Sequence, residues 1–353
     1  MPSAFLRQTA TTGSVVRLAL LNALLTIVTL SLWRFWGKTR VRRHLWATTR
    51  VWDDPLEYTG TGKELFIGFL LVLLILLPIV FAQVTIQVLA LESPPLAAIL
   101  SVLLATFVLF LVGAGLYRAR RYQLTRTRWR GIRCGQAGTA WRYGLLSLAM
   151  TGLYAVSLGW AIPWGQVRLA RYQLNHTLIG SESLACTMTA APLYKRFAVL
   201  WLCGVIGIPA TLALSVVLGW GIGGTGLVSP DATIGLFIIL LSIPMALLLS
   251  IPGAWYLAGY YGRMAASTTL AGGTFRFQPG SFALLRLVAG NLLITTLSLG
   301  LLRPWAALRL FRFACRHCEA VAEPDFAAIT QRAAEQAGTA EGFADALDGA
   351  GAF

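Results

Sequence analysis

Three stretches of this sequence place a tryptophan four residues before one arginine and seven before another: Trp36, Arg40 and Arg43; Trp164, Arg168 and Arg171; Trp305, Arg309 and Arg312. On a helix those spacings put all three side chains on one face. A guanidinium offers a planar fork of donors that fits a phosphate or a carboxylate. An indole, apolar with one polar N–H, suits the headgroup level of a bilayer. The chemistry on offer is binding of an anion or lipid headgroup, or anchoring at a membrane interface. Enzyme chemistry is not expected. The histidines are His44, His176 and His317, all in or beside basic segments, and no zinc-protease, nucleophile-elbow or Walker-type motif occurs. Cys315 and Cys318 form half of a C-x-x-C metal site with no second pair after them, so neither metal nor cofactor is expected.

Each unit must be positioned by what precedes it, an apolar run rich in Leu and Thr or Ser. Asn22, Thr26, Trp36, Arg40 and Arg43 match Asn291, Thr295, Trp305, Arg309 and Arg312 at one offset of 269, without a gap. The central copy lies 128 residues after the first and has Met150 where Asn22 would stand. Pro163 and Pro304 precede their tryptophans, and Phe35 takes that place in the first copy. Proline there predicts the first turn of a new helix, where its missing N–H costs nothing. Arg43, Arg121, Arg171 and Arg263 are each followed six residues later by a threonine, Thr49, Thr127, Thr177 and Thr269. Short Gly-containing segments come next, as in YTGTG, GIRCG and LAGGTFRFQPG, and predict short strands or extended loops.

The composition decides the class. The chain has 353 residues, 57% hydrophobic and 12% charged, where a soluble domain carries about 25% charged residues. Two pairs of apolar runs, 65–90 with 96–117 and 197–219 with 234–257, are long enough for a hydrocarbon core of about 30 Å. The expectation is an all-α, polytopic membrane protein with internal repeats and short strand-like cytoplasmic elements. It divides into an N-terminal segment 1–14, a membrane domain 15–318 and an acidic, partly disordered tail 319–353, with a short helix expected in EPDFAAITQRAAEQA. The net charge of +15 is concentrated at one end of each run, which the positive-inside rule puts in the cytoplasm. Glu92, Asp231 and a glycine-rich turn GIGGTG fall on the other side.

Three shorter runs, 18–33, 143–164 and 282–302, have basic residues at both ends. They either break the charge rule by crossing or dip in and return, with their backbone shielded by neighbouring protein. The tally is four to seven spans. Gln83 and Gln87 are the most polar residues of the long runs and are expected to face the bundle interior. Pro209, Pro244 and Pro252 would kink or interrupt their helices.

The stretch NALLTIVTLSLWRFWGKTRVRRHLW, with the DDPLEYTGTG segment after it, resembles the start of the YjgN-like bacterial inner-membrane proteins. Their pattern is approximately N-x-L-L-T-I-x-T-L-G-x-x-x-P-W, then a basic step, then an aromatic residue four before a glycine. Asn22, Leu24, Leu25, Thr26, Ile27, Thr29, Leu30 and Trp36 fit it, as do Asn291, Leu292, Leu293, Thr295, Leu299, Gly300, Pro304 and Trp305. Ser31, Phe35 and His44 depart from it. The resemblance covers roughly residues 15–318 and implies a multi-pass protein of the bacterial inner membrane, with no activity attached.

Two functions stay open: a transporter or channel for an unknown solute, and a membrane scaffold or anionic-lipid-binding envelope protein without transport. The partners are the phospholipid bilayer, its anionic lipids and, for the first reading, a solute. Nucleic acid is not expected, because the basic loops already serve membrane orientation.

Overall fold

The computed structural model describes residues 5–223 and 229–330. The GIGGTG turn lies largely outside these residues, as does the tail from 331 on. The helices come in antiparallel pairs. The first pair is α1 (Thr12–Val28) and α2 (Arg34–Ala47), the second α3 (Gly62–Glu92) and α4 (Pro94–Thr125). Then follow α5 (Ala140–Val156) with α6 (Ile162–Asn175), α7 (Tyr194–Gly223) with α8 (Pro230–Ala266), and α9 (Ser281–Leu297) with α10 (Arg303–His317). Among the described residues α3, α4, α7 and α8 are long and apolar enough to cross a membrane. They outrun the apolar runs because the helices continue into the basic segments. Helices α7 and α8 also run on past Pro209, Pro244 and Pro252. Gln83 and Gln87 are exposed on α3 rather than turned inward, so the interior path they suggested is not built from them.

Short strands join every pair: β1 (Leu6–Gln8), β2 (Thr49–Val51), β3 (Asp54–Tyr58), β4 (Thr127–Trp129), β5 (Ile132–Gln136), β6 (Thr177–Ile179), β7 (Glu182–Ser183), β8 (Ala185–Cys186), β9 (Thr268–Leu270), β10 (Gly273–Phe277) and β11 (Cys318–Ala322). They form a seven-stranded sheet in the order β1 to β7 and a four-stranded sheet β11-β10-β9-β8. All pairings are antiparallel. The all-α expectation is corrected here: the short strand-like elements expected after the basic residues pair into two antiparallel sheets. Strands of two to five residues carry too little alternation to reveal their partners in a sequence. β11 also draws residues 318–322 into a sheet, and α1 begins at Thr12 because the Thr11 hydroxyl accepts the Ser14 N–H.

The pairings settle where each helical pair starts and ends. Leu6 pairs with Val51 across α1–α2, Tyr58 with Thr127 across α3–α4, and Gln136 with Thr177 across α5–α6. Cys186 pairs with Thr268 across α7–α8, and Phe277 with Cys318 across α9–α10. Each of the five hairpins therefore leaves a sheet and returns to the same sheet, the first three to the seven-stranded one and the last two to the four-stranded one. The three short runs are not single crossings. A 17-residue helix rises only about 25 Å, and each turns back. The first and last hairpins also share a core: Val15, Val41 and Leu45 pack with Ala307 and Leu308.

Four buried threonines stand where helices pass into strands. Thr49, Thr127, Thr177 and Thr268 each donate a hydroxyl to the carbonyl four residues back, on Leu45, Gln123, Gln173 and Met264. In the last case the position is Thr268, one residue before the expected Thr269, which instead pairs with Thr274 in the sheet. Segment 323–330 is not a helix. It runs across the β-hairpin turns, where the Asp325 N–H donates to the Ala271 carbonyl and Thr330 pairs with Ser181. Phe326 sits 5.0 Å from the Trp52 ring and 5.9 Å from the Trp129 ring.

Candidate functional site

The same turn joins the helices of all three short hairpins. Leu30 and Ser31, Leu158 and Gly159, and Leu299 and Gly300 have positive φ. In each turn the second residue's N–H bonds five residues back, to Thr26, Tyr154 or Thr295, at 2.7 Å. This is the Schellman closure of a helix end. A hydroxyl then accepts the N–H that opens the next helix: Thr29 from Trp33, Ser157 from Ala161, and Ser298 from Leu302, at 2.9–3.1 Å. Pro163 and Pro304 lie in the first turns of α6 and α10, as their sequence position predicts. Leu30 is 89% exposed and Leu299 92% exposed. In the first and last copies the turn supplies its own partners for backbone groups that water would otherwise satisfy, so the apolar tip is fit for lipid; in the central copy Trp201 of α7 also donates to the Leu158 carbonyl at 2.9 Å and packs on Trp160.

Below each turn the two helices are tied together. Asn22 Nδ2 donates to the Gly37 carbonyl and Asn291 Nδ2 to the Ala306 carbonyl. Thr26 donates to the Asn22 carbonyl. Met150 is buried in the central copy.

The nine tryptophan and arginine residues divide by role. Trp36 and Trp164 are 38% and 40% exposed, and Trp305 is half-buried. Arg40 lies 5.2 Å from the Trp33 ring, and Arg168 5.2 Å from the Trp164 ring. Arg43 donates to the Gly60 carbonyl at 2.8 Å, just before the Thr61 cap of α3. Arg312 donates to the Ala10 carbonyl at 2.7 Å and the Thr12 hydroxyl at 3.0 Å, at the start of α1. These two arginines fasten one hairpin to the next. Arg171 is exposed. Contacts join the third unit to the first hairpin, through Arg312, while the central unit's helix packs against α7 and α8 through Val167, Phe197 and Tyr256, and Gln166 accepts from the Tyr256 hydroxyl at 2.7 Å.

At the foot of the last hairpin lies a basic pocket of about 300 Å³. Arg286 from α9 and Arg309, Arg312, Arg316 and His317 from α10 line it, over an apolar floor of Leu287 and Phe313, and among the described residues no carboxylate is in its walls. The Arg309 guanidinium rests where a side chain at Gly290 would otherwise stand. Arg286 and Arg316 were not singled out from the sequence. Their signals were present: Arg286 is Arg17 shifted by 269, and Arg316 is one turn beyond Arg312. Also missed was a buried polar cluster, where Glu64 accepts from Arg126 at 2.9 Å and from the Tyr122 hydroxyl at 2.7 Å. Arg42, fully buried, donates there to the Tyr58 hydroxyl.

Burial pushes the Cys318 thiol up to about 11 and raises Cys315 as well. That disfavours the thiolate on which metal or redox chemistry depends. Among the described residues no group of three or more His, Cys, Asp or Glu is placed to hold a metal ion.

Comparison with known proteins gives a family and some relatives. The model of a family described as bacterial protein of unknown function (DUF898) matches residues 3–346. The inner membrane protein YjgN of Salmonella typhimurium is 30% identical over 146 residues, 41% of this chain and 35% of that protein. Inner membrane protein YjgN of Escherichia coli K12 is 26% identical over 137 residues, 38% of this chain and 32% of that protein. The matched part thus spans about a third of the length of these curated relatives. No solved structure matches.

Proposed function

The chain belongs to the bacterial DUF898 family, and from that premise we propose that it is a membrane scaffold that binds anionic lipid and holds a β layer against the cytoplasmic face of the inner membrane. It is a multi-pass inner-membrane protein, with four helices long and apolar enough to cross. The observation that carries the scaffold reading is the set of three matching hairpins. Each rises from the β layer, exposes an apolar turn whose backbone bonds are closed locally, and returns with tryptophan and arginine on its second helix. Such a hairpin wedges into one leaflet, leaving its indoles at headgroup level. The basic foot of each hairpin then meets anionic lipid. Matching turns at offsets of 128 and 269 support reading the three hairpins as copies of one ancestral unit. Transport or channel activity rests on the four crossing helices alone, which a scaffold needs equally.

Cysteine accessibility in intact cells tests this reading. In a cysteine-free background, single probes beside Arg17, Gly180 and Arg276 should be shielded from an impermeant reagent, while a probe at Glu92 should label. Labelling of any hairpin foot from outside would overturn the scaffold.

A further inference from the structure

Anchoring alone does not account for the charge at the foot of the last hairpin. Four guanidinium groups and an imidazole surround about 300 Å³ with no acid among the described residues of its walls. Like charges gathered this way repel unless a counter-charge sits between them. Two of the four are fixed before any ligand arrives. Arg312 is held by Ala10 and Thr12, and Arg309 lies against Gly290. Arg286 and Arg316 line the same pocket and are exposed. Guanidinium groups gathered in this way suit the tetrahedral oxygens of a phosphate.

The surroundings name the rest of the ligand. Leu287 and Phe313 make the floor apolar. Further along α9 towards the hairpin tip, on the helix face that carries Arg286 and Gly290, Leu293 and Leu297, one turn apart, are 60% and 83% exposed. A ligand with its phosphate in the pocket has an apolar path beside it that leads into the leaflet. We propose that the α9–α10 pocket is a binding site for a phospholipid headgroup carrying more than one negative charge, such as a phosphomonoester. This deepens the scaffold reading and rests on its placing the hairpin foot at the inner leaflet. A single phosphodiester charge leaves most of the four arginines uncompensated. A free phosphate shares the headgroup chemistry but leaves the apolar path unused.

The test uses the purified full chain in neutral detergent at about pH 8, where a phosphomonoester is doubly ionised. Short-chain phosphatidic acid, short-chain phosphatidylglycerol and inorganic phosphate are titrated separately. Phosphatidic acid should bind about tenfold more tightly than phosphatidylglycerol, the worth of one further charge-assisted bond. The R286Q/R316Q double variant should abolish that preference, lowering phosphatidic acid affinity at least tenfold and phosphatidylglycerol affinity by less. Equal affinity for the two lipids, or a preference that survives the double variant, overturns the site. Inorganic phosphate binding as tightly as phosphatidic acid overturns the lipid assignment. Should the double variant fail to fold, Arg316→Gln alone should lower the preference at least threefold, and an unchanged preference sinks the proposal. The topology probes fail or succeed independently of this preference, so the two readings can fall separately.

Discussion

The first and last hairpins carry the same residues 269 positions apart, yet only the last builds the basic pocket. Both have the asparagine clamp, the Schellman turn and an arginine that fastens the neighbouring helix start. Five substitutions between them bear on the pocket. Trp33 in the first is Leu302 in the last, so Arg40 has an indole to rest on and Arg309 has none. Leu21 is matched by Gly290, and the missing side chain is what admits Arg309. Ala47 is matched by Arg316, which adds the fourth charge. Ser14 and His44, bonded across the foot at 3.2 Å, are matched by Ala283 and Phe313, which leave it open. The shared residues make an anchor, and these five differences make a site.

The fastening arginines give the sharpest way to break this comparison. Arg312 makes two bonds and Arg43 one to a helix start. Arg312→Ala should cost about 3 kcal/mol and Arg43→Ala about 1.5, at the usual worth of bonds from a charged donor. Chemical denaturation in detergent measures both, and equal losses would show that the two hairpins are fastened alike. The asparagines come next. Asn22 also accepts from the Trp33 indole at 3.4 Å, whereas Asn291 Oδ1 is buried without a bond because Leu302 has nothing to donate. Asn22→Ala should cost about 2 kcal/mol and Asn291→Ala about 1, since only the first leaves an indole N–H unpaired as well.

Converting the pocket to its counterpart sharpens the comparison further. Gly290→Leu should destabilise by about 1–2 kcal/mol through overpacking against Arg309. In the phosphatidic acid titration it should erase the lipid preference. Retained preference would mean that Arg309 is not part of the site. The smallest effect falls on Cys318, which occupies the place of Thr49. With its thiol held near 11 against an ordinary 9.0, Cys318 in a single-cysteine background should alkylate about 100-fold more slowly at pH ~8 than an exposed thiol. The rate should climb as pH rises towards 11, because the thiol sheds its proton only there. Fast alkylation at pH ~8 would show an open foot at β11.

The long apolar runs were legible because hydropathy over some twenty residues is a local sum. The helix caps and the matched units were legible for a similar reason, since their partners lie within a few positions along the chain. The ambiguity of the three short runs was equally real, because basic residues at both ends fit a return or a broken charge rule. Register decided it: Leu6 with Val51, Gln136 with Thr177 and Phe277 with Cys318 are pairings across some forty residues, and no local pattern encodes them. Gln83 and Gln87 show the converse error, for polarity in a span does not tell which way its helix is turned.

By itself, then, the sequence determined the membrane class, the four long helices, the turn signals and the family likeness. Each depends on residue type and near spacing. Only the tertiary structure decided that five hairpins stand on two antiparallel sheets, that segment 323–330 straps their turns, and that Arg286, Arg309, Arg312 and Arg316 share one pocket. Short strands gain most of their stability from distant partners. The direction of a guanidinium is set by the helix packed against it, as Gly290 does for Arg309.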